Sequence, residues 1–357
     1  GDVNLLTVVE PGAEAPVYGP MQAFYFRTGL DDAPCAAAPA SGILIQTPQG
    51  AGQVMLNMNG VELALGSTAL LQGGSGLPAM NVVLLEGTGS FPQYALDLYG
   101  GQYQPLLPQD GVWVPAGDPQ PLDASQYAYL PLDLLPRRVD ICERHVVSSG
   151  PHNVVSRYCP PPPDAPVANG AAILVHGRGL DHSSWDWLTP WLLDRGWAVL
   201  TPDMPGHGQT GGADPAYGDW AAIITDLAAF ARMRGHQQGV IIGSSIGANS
   251  GLAACAGLPD WCRGAGLLSP GINYFGVETP GPMGQMGDRP VFIITSEHDA
   301  RGGPGEVARQ IAAYGRHVTV QVYPGDLHGT DLSSSYDLTG WLADYADLPN
   351  FMFPDIR

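Results

Sequence analysis

The sequence contains no lysine. Its 15 basic residues are all arginine and face 34 acidic residues, which gives a formal net charge of -19 at pH 7. A surface this acidic repels phosphate backbones. We therefore expect no nucleic acid among the partners of this protein.

Long apolar runs are also missing, since no stretch reaches the roughly 18 residues that a membrane-spanning helix needs. We expect no membrane span. The chain begins Gly1-Asp2-Val3 without a methionine, and we expect a processed or trimmed protein from which a signal peptide was removed. The prediction is a secreted or extracytoplasmic protein, in the periplasm or at the cell surface.

Cysteine is scarce, with five residues in the chain. Cys142 and Cys159 flank a predicted hairpin, and Cys255 and Cys262 close a short loop after a predicted helix. We prefer two disulfides with an odd Cys35 to the alternative of five free thiols. No cysteine has zinc-site spacing, and no histidine pair has the HExxH pattern, so no metal is expected. A GxGxxG run is missing from the strand-to-helix turns, and we expect no cofactor.

The length, 357 residues, predicts two domains. Residues 1–138 carry short β-type runs separated by Gly, Pro and Asn, with Asn59-Gly60 as a hairpin signal. This pattern predicts a small all-β domain, a barrel or sandwich. The Pro-rich passage LPLDLLPRR marks the boundary near residue 138.

Between Gly42 and Gly87 the chain contains the runs IQTPQGAGQVMLNMNGVELALGSTALLQ and NVVLLEG. With these runs, this part of the region resembles the FecR-like β domain of bacterial envelope proteins. The resemblance implies an extracytoplasmic module that contacts the envelope or a polymer, and it implies no chemistry.

Residues 139–357 follow a different pattern, in which a hairpin is followed by apolar strands that alternate with helices over 183–195, over 220–234 and from Gly247. Such strands belong to a mostly parallel sheet with helices on both faces. Right-handed crossovers place the carboxyl ends of these strands at one edge, where sites form.

The most informative segment is GSSIG, between an apolar strand and a helix of small residues. It matches the nucleophile-elbow pattern G-x-S-x-G. Ser245 has Gly243 two residues before it and Gly247 two residues after it, whereas Ser244 has isoleucines at those positions. A crowded turn would not accept isoleucine, so Ser245 is the predicted nucleophile.

An acid and a histidine follow on later strand ends. Asp299 comes after VFIITSE and is preferred to Glu297 by its spacing, and His328 comes after VTVQVYP. A serine hydroxyl needs a base to take its proton, and a carboxylate fixes and stabilises the imidazole that does so. The order serine, acid, histidine predicts acyl transfer.

Residues 139–345 closely resemble the α/β-hydrolase superfamily. LVHGRG, PDMPGHGQT, GSSIGAN, SEHD and PGDLHG match its landmarks, and IIGSSIGANSGL and LLSPGINYFGV resemble dienelactone-hydrolase-like and serine-aminopeptidase-like bacterial hydrolases. The resemblance implies an α/β-hydrolase fold behind the all-β domain. It also implies Ser245 as nucleophile, Asp299 as triad acid and His328 as base.

The resemblance further implies an oxyanion hole formed by the N–H groups of Ile246 and Arg178. Arg178 is a large cation where many relatives have a smaller residue, so Gly177 and Gly179 stay open as donors. Gly177, Tyr274 and Phe275 are the predicted substrate-binding residues.

The leading hypothesis is a serine hydrolase that cleaves carboxylic esters, of the carboxylesterase type, through an acyl-enzyme on Ser245. Its substrate would be a small-molecule or polymeric ester. A peptidase or amidase with the same triad is one alternative. A non-catalytic binding protein on a hydrolase scaffold is another.

Overall fold

The computed structural model of the chain describes residues 42–47, 52–58, 60–73, 80–162 and 170–334. Cys35, the odd cysteine of the prediction, lies outside these residues. The chain divides into two compact units, Gly1–Gln120 with Tyr129–Val139, and Pro121–Ala128 with Asp140–Arg357. The domain boundary near residue 138 stays a prediction.

The described part of the first unit is built from β-strands in two antiparallel sheets. The strands are β1 Gly42–Gln46, β2 Val54–Met58, β3 Val61–Leu65, β4 Thr68–Gly73, β5 Met80–Glu86, β6 Thr88–Phe91, β7 Leu96–Tyr99, β8 Gln102–Gln109, β9 Val112–Pro115 and β10 Gln120–Pro121. One sheet has the order β1-β4-β5-β8-β10, with β9 paired to β8, and the other has the order β2-β3-β6-β7.

Both sheets contribute to one apolar core. Alternate residues of β3 are fully buried and meet side chains of β5, β7 and β8. β2 and β3 pair with Met58 opposite Val61, so two residues connect them. Gly60 takes φ +90° at that turn, and its N–H donates to Asn57 Oδ1 over 3.1 Å. Asn59 lies outside the described residues.

The second unit is organised around an eight-stranded sheet in the order β11-β12-β14-β13-β15-β16-β19-β20. A separate hairpin is formed by β17 and β18. The strands are β11 Glu143–Ser149, β12 His152–Cys159, β13 Gly170–Val175, β14 Ala198–Pro202, β15 Gln238–Ser244, β16 Cys262–Leu268, β17 Asn273–Tyr274, β18 Val277–Glu278, β19 Val291–Ser296 and β20 Val318–Tyr323.

The sheet is parallel from β14 to β20, and the β11–β12 hairpin adds to it antiparallel at one edge. After β13 the chain adds β14 on one side, and then adds β15 and the later strands on the other side. Strand order therefore reverses between β13 and β15. In open α/β sheets the crevice at such a reversal, at the carboxyl ends of the strands, is where sites form. This topology, with the turns described below, is that of an α/β-hydrolase fold.

Alternate side chains of the central strands enter two different cores. In β13, Ile173 joins the core on one face and Leu174 joins the core on the other. Burial on both faces explains why these strands are apolar without alternation. The covering helices are α1 Thr189–Leu193, α2 Trp220–Met233, α3 Ile246–Gly257, α4 Pro280–Gln285 and α5 Gly305–Ala312. Within the described residues, no helix has the length and apolarity that crossing a membrane requires.

The helix predicted over 183–195 is interrupted. A 3-10 turn covers His182–Trp185, and α1 begins only at Thr189. Pro190 explains the break, because it lacks an N–H and its ring clashes with the preceding turn of a helix, so it is accepted only in a first turn. The helix predicted over 220–234 is confirmed as Trp220–Met233.

Both predicted disulfides are present, Cys142–Cys159 and Cys255–Cys262. The first joins the residue before β11 to the last residue of β12, which closes the mouth of the edge hairpin. The second fixes the end of α3 to the start of β16. The two bonds therefore link neighbouring elements of the second unit covalently.

We predict that replacing Cys142 and Cys159 by serine lowers the free energy of unfolding by about 3 kcal/mol, because the bond closes a loop of 17 residues in the unfolded chain. Urea unfolding of the variant and the parent without reductant measures this. An unchanged midpoint would show that the hairpin holds its edge position without the bond.

Candidate active site

The turn between β15 and α3 holds Ser245 in a backbone conformation that side chains rarely adopt, φ 55° and ψ -120°. Its neighbour Ser244 is the last residue of β15 and is buried, whereas Ser245 is partly exposed. The Ser245 N–H donates to Leu268 O over 2.8 Å, which fastens the turn to the next strand. A strained, partly exposed serine at a strand end is the geometry of a nucleophile elbow.

Two glycines make this turn possible. A Cβ on Gly243 would collide with the backbone of Gly247, and a Cβ on Gly247 would collide with the carbonyl oxygens of Val175 and His176. The start of α3 thus lies directly against the end of β13. The sequence argument that favoured Ser245 over Ser244 used these same glycines.

The loop after β13 reaches the elbow. A Cβ built on Gly177 would be 3.5 Å from the Ser245 Cβ. Arg178 follows Gly177 and is exposed, while Ile246 follows Ser245 as the buried first residue of α3. An N–H group in the first turn of a helix has no partner within the helix. The predicted oxyanion donors, Arg178 and Ile246, therefore belong to two segments that meet at Ser245.

His176 holds the loop after β13 in place through hydrogen bonds. It is fully buried, its Nε2 accepts the N–H of Met204 over 3.0 Å, and its Nδ1 lies 2.8 Å from Gly177 O. Accepting at Nε2 requires the proton at Nδ1, which donates to Gly177 O. Burial lowers the pKa of His176 to about 4, against the opposing effect of that hydrogen bond. The imidazole is neutral at pH 7 and acts as a brace.

Asp299 and His328, from the loops after β19 and β20, meet in a hydrogen bond of 2.7 Å between Oδ2 and Nδ1. Asp299 is 2% exposed and His328 is 9% exposed. Burial acts to raise the pKa of Asp299, but hydrogen bonds from His328, Ser269 and the Arg301 N–H outweigh it, and the pKa lies below its ordinary value. Glu297, the alternative acid, instead pairs with Arg309 at the surface.

Ser269 is a site residue that sequence reasoning missed. Its hydroxyl donates to Asp299 and accepts the N–H of Gly329 over 2.9 Å. One side chain thereby positions both the carboxylate and the loop that carries His328. A Cβ on Gly329 would collide with the Ser244 hydroxyl, so this loop also packs against the elbow. The available signal was the position of this serine in LLSP, directly after β16 at the same edge of the sheet.

Tyr274 lies on the hairpin of β17 and β18. Its hydroxyl is near Ser269 O, at 3.4 Å, and it also interacts with the Ser245 side chain. Burial and the charge of Asp299 raise the pKa of Tyr274, against the hydrogen bond with Ser245. Asn249 of α3 anchors the hairpin by bonding to Gly271 and to Val277 O.

Phe275, the next residue, is turned outward and is 52% exposed. Its ring stacks on Tyr217 with centroids 4.4 Å apart. The guanidinium carbon of Arg178 lies 5.4 Å from the centroid of the Phe275 ring. The structure thus brings two predicted substrate-binding residues, Tyr274 and Phe275, together with the loop of Gly177 and Arg178.

Within the ranges of the chain that the structure describes, one group of side chains has the spacing to share a cation. Ligand atoms of Asp181, His182 and Asp203 lie within 4.8 Å of one another. Both Asp203 oxygens already accept hydrogen bonds, Oδ1 from His182 and Oδ2 from the N–H of Gln209. Through these hydrogen bonds Asp203 holds His182 and Gln209 in place, which explains the grouping without a cation. The expectation of no metal stays a prediction.

Comparison with family models finds one similarity that agrees with this geometry. Residues 166–283, about a third of the chain, match the model described as serine aminopeptidase, S33, in the Hydrolase_4 family. The matched segment includes the loop after β13 and the turn that carries Ser245. A comparison with curated proteins finds no match.

Several solved structures are similar to this chain. A predicted CIB-like hydrolase from Thermoplasma acidophilum is 18% identical, with a TM-score of 0.47, and covers 57% of this chain and 97% of its own. Est1E from Butyrivibrio proteoclasticus, solved with ferulic acid, is 17% identical, with a TM-score of 0.49, and covers 57% and 98%. A cold-adapted esterase from an Arctic intertidal metagenomic library is 20% identical, with a TM-score of 0.47, and covers 58% and 93%.

We predict that Gly247→Ala lowers the free energy of unfolding by about 3 kcal/mol or more, because the added methyl group has only immovable backbone atoms to meet. Gly257→Ala, at the other end of α3, is the matched control. Nothing lies near a Cβ there, and the helix should gain about 0.5–1 kcal/mol. Equal effects of the two changes on urea unfolding would contradict the close approach.

We predict that His176 makes stability fall with acidification. The unfolded chain takes up the proton near pH 6.5 and the folded chain only near pH 4. Stability is thus complete above pH 6.5 and is lost as pH falls through this interval, by on the order of 3 kcal/mol. Unfolding of the parent and of His176→Gln at pH 7 and pH 4.5 measures it. Parallel losses in both proteins would contradict the assignment.

Proposed function

We propose that this protein is a serine hydrolase that cleaves carboxylic esters through an acyl-enzyme on Ser245. The observation that carries the proposal is the buried Asp299–His328 hydrogen bond of 2.7 Å, at the sheet edge where the strained Ser245 turn also lies. A carboxylate bonded to Nδ1 leaves Nε2 as the nitrogen available to a serine hydroxyl, which is the arrangement that acyl transfer requires.

In the proposed reaction, the Ser245 Oγ attacks the ester carbonyl carbon while His328 Nε2 takes the hydroxyl proton. Asp299 stabilises the imidazolium, and its depressed pKa keeps it ionised for that purpose. Collapse of the tetrahedral intermediate breaks the bond to the alcohol oxygen, which receives the proton from His328. Water then attacks the acyl-enzyme with His328 as base, and the acid is released.

The oxyanion of the tetrahedral intermediate would accept hydrogen bonds from the N–H groups of Ile246 and Arg178. Donors that are already fixed in place cost no reorganisation when the charge develops. The closeness of Gly177 to the Ser245 Cβ, 3.5 Å from a built Cβ position, supports this role for the loop. Tyr274 and Phe275 would bind the substrate, with Tyr274 beside the nucleophile.

A peptidase or amidase is the second candidate, and the family match to serine aminopeptidases favours it. The same triad serves both reactions, but an amide nitrogen must be protonated before it leaves. Comparing kcat/KM for a p-nitrophenyl ester with that for the corresponding p-nitroanilide decides between them.

We also propose an extracytoplasmic location. The two disulfides agree with an oxidising compartment. The first unit would be a domain of its own that contacts the envelope or a polymeric ester, as the FecR-like resemblance of residues 42–87 implies. Its described strands form two sheets around a core of their own, in agreement with a separate domain.

We predict that the protein hydrolyses p-nitrophenyl esters in a series from acetate to dodecanoate, and that Ser245→Ala lowers kcat by roughly 10⁴-fold or more. Short chains should be preferred, because few residues separate β16 from β19 and leave no room for a large helical cap. Initial rates across the series measure both effects.

The matched control is Ser244→Ala, which removes a hydroxyl from the adjacent serine and should retain most of the activity. Covalent labelling by an organophosphate should follow the same pattern, present in Ser244→Ala and lost in Ser245→Ala. No turnover of any ester or anilide, with no labelling, would leave a non-catalytic binding protein as the reading.

A further inference from the structure

The guanidinium of Arg178 has an unusual setting for a chain of net charge -19. In the described parts of the chain it forms no ion pair with a carboxylate. Its contact is instead the face of Phe275, at 5.4 Å from the ring centroid. An aromatic face attracts a cation but does not neutralise its charge. Arg178 therefore keeps donors and charge for another group.

The backbone of Phe275 is strained. It takes φ 51° at the tip of the β17–β18 hairpin, with Gly276 at φ 88°. Two positive φ angles suit a two-residue hairpin turn, but glycine, asparagine or aspartate would be the ordinary residues there. The Asn273 side chain closes the turn by accepting the Gly276 N–H over 2.9 Å. A half-exposed phenylalanine in this conformation contributes little to a core, so its strain points to a role at the surface.

Tyr217 supports the Phe275 ring by stacking on it. The stack is close to parallel, with 22° between the two planes, and Tyr217 in turn packs against the buried Trp220. Burial raises the pKa of Tyr217 and the charge of Arg178 acts in the opposite direction, so the cation also reaches this side chain. Arg178, Phe275 and Tyr217 form one cluster, which we name the aromatic–arginine rim.

The rim borders the nucleophile on two sides. Arg178 follows Gly177, which packs against Ser245, and Phe275 follows Tyr274, whose hydroxyl interacts with Ser245. Arg178 and Phe275 are thus the chain neighbours of two residues that contact Ser245. An aryl ring can pack against the exposed part of the Phe275 ring, and a carboxylate on that aryl ring can bind the guanidinium of Arg178.

We propose that the aromatic–arginine rim is a subsite for an aromatic ring that carries a carboxylate, so that the substrates of this protein are aryl esters with a free carboxylate on the acyl or the alcohol part. This inference rests on the proposed function, and it adds the substrate class. The net charge of the protein disfavours anions in general, so a preference for an anionic ester must come from a local cation.

Two substrate pairs test the proposal and separate the two parts of the ester. The acyl pair is p-nitrophenyl 4-carboxybenzoate and p-nitrophenyl benzoate. The alcohol pair is 4-acetoxybenzoate and phenyl acetate. For at least one pair, Arg178→Gln should lower the ratio of kcat/KM for the anionic over the neutral ester by about tenfold. Using the ratio removes any effect of the substitution on the oxyanion hole.

The matched control is Arg263→Gln, which makes the same change of charge. Arg263 is exposed near the start of β16, at the opposite end of the strand from the candidate site. Its ratio should equal that of the parent, and added salt should reduce the parent's ratio toward that of Arg178→Gln. A ratio that changes less than twofold in both pairs on Arg178→Gln, or equally on Arg263→Gln, overturns the proposal.

Phe275→Asn tests the aromatic half of the rim without a risk of misfolding, because asparagine tolerates the turn conformation. Its melting temperature should not fall, whereas KM for the anionic aryl ester should rise. A lower melting temperature with an unchanged KM would show that Phe275 is held for stability.

Titration with benzoate separates failure of the subsite from failure of the proposed function. Binding that is lost in Arg178→Gln, in a protein that hydrolyses no ester, would retain the subsite and reject the esterase. Hydrolysis without preference for the anionic ester would do the reverse.

Discussion

The architecture of the candidate site depends on one close approach, that of the first turn of α3 to the end of β13. The contact leaves no space for a side chain at Gly247, where the carbonyl oxygens of Val175 and His176 lie. Because the two backbones meet directly, the start of α3 and the loop after β13 both lie beside Ser245. A larger separation would still give a folded sheet, but would move that loop away from Ser245, where the proposed oxyanion hole needs it.

The rest of the site is assembled by hydrogen bonds between loops. Ser269 joins the loops after β16, β19 and β20, since it donates to Asp299 and accepts from Gly329. Asn249 links α3 to the segment that carries Tyr274. His176, neutral in its buried position, connects the loops after β13 and β14. All of these bonds except that from Asn249 to Val277 O are buried, where an unmade hydrogen bond is costly, so the loops favour one arrangement.

Much of the second unit could be predicted from the sequence, because its signals are local. Strands β13 and β15 are continuous apolar runs, and α2 buries residues at helical spacing. The two glycines of the turn, Gly243 and Gly247, lie within five residues of each other. The two disulfides were open to prediction for the same reason, since each joins segments close in sequence.

The parts that escaped prediction depend on distant contacts. Nothing in the local sequence distinguishes Ser269 from other serines. Its role comes from contacts with Asp299 and Gly329, which lie in two loops later in the chain. The stack of Phe275 on Tyr217 joins residues that no periodicity relates. The grouping of Pro121–Ala128 with the second unit is of the same kind, and the Ala124 N–H there is bonded to the Glu143 side chain.

Backbone strain is concentrated around the candidate site. Among the described residues of the second unit, the non-glycine positions with positive φ are Ala216, Ser245, Ser269 and Phe275. Ser245 is the predicted nucleophile, Ser269 bonds to Asp299, the predicted acid, and the other two lie beside or within the aromatic–arginine rim. Each such residue costs about 1 kcal/mol or more, and the cores on both faces of the sheet must offset this. Selection for stability alone would place glycine or asparagine at position 275. The strain therefore argues that the rim belongs to the same functional surface as the elbow.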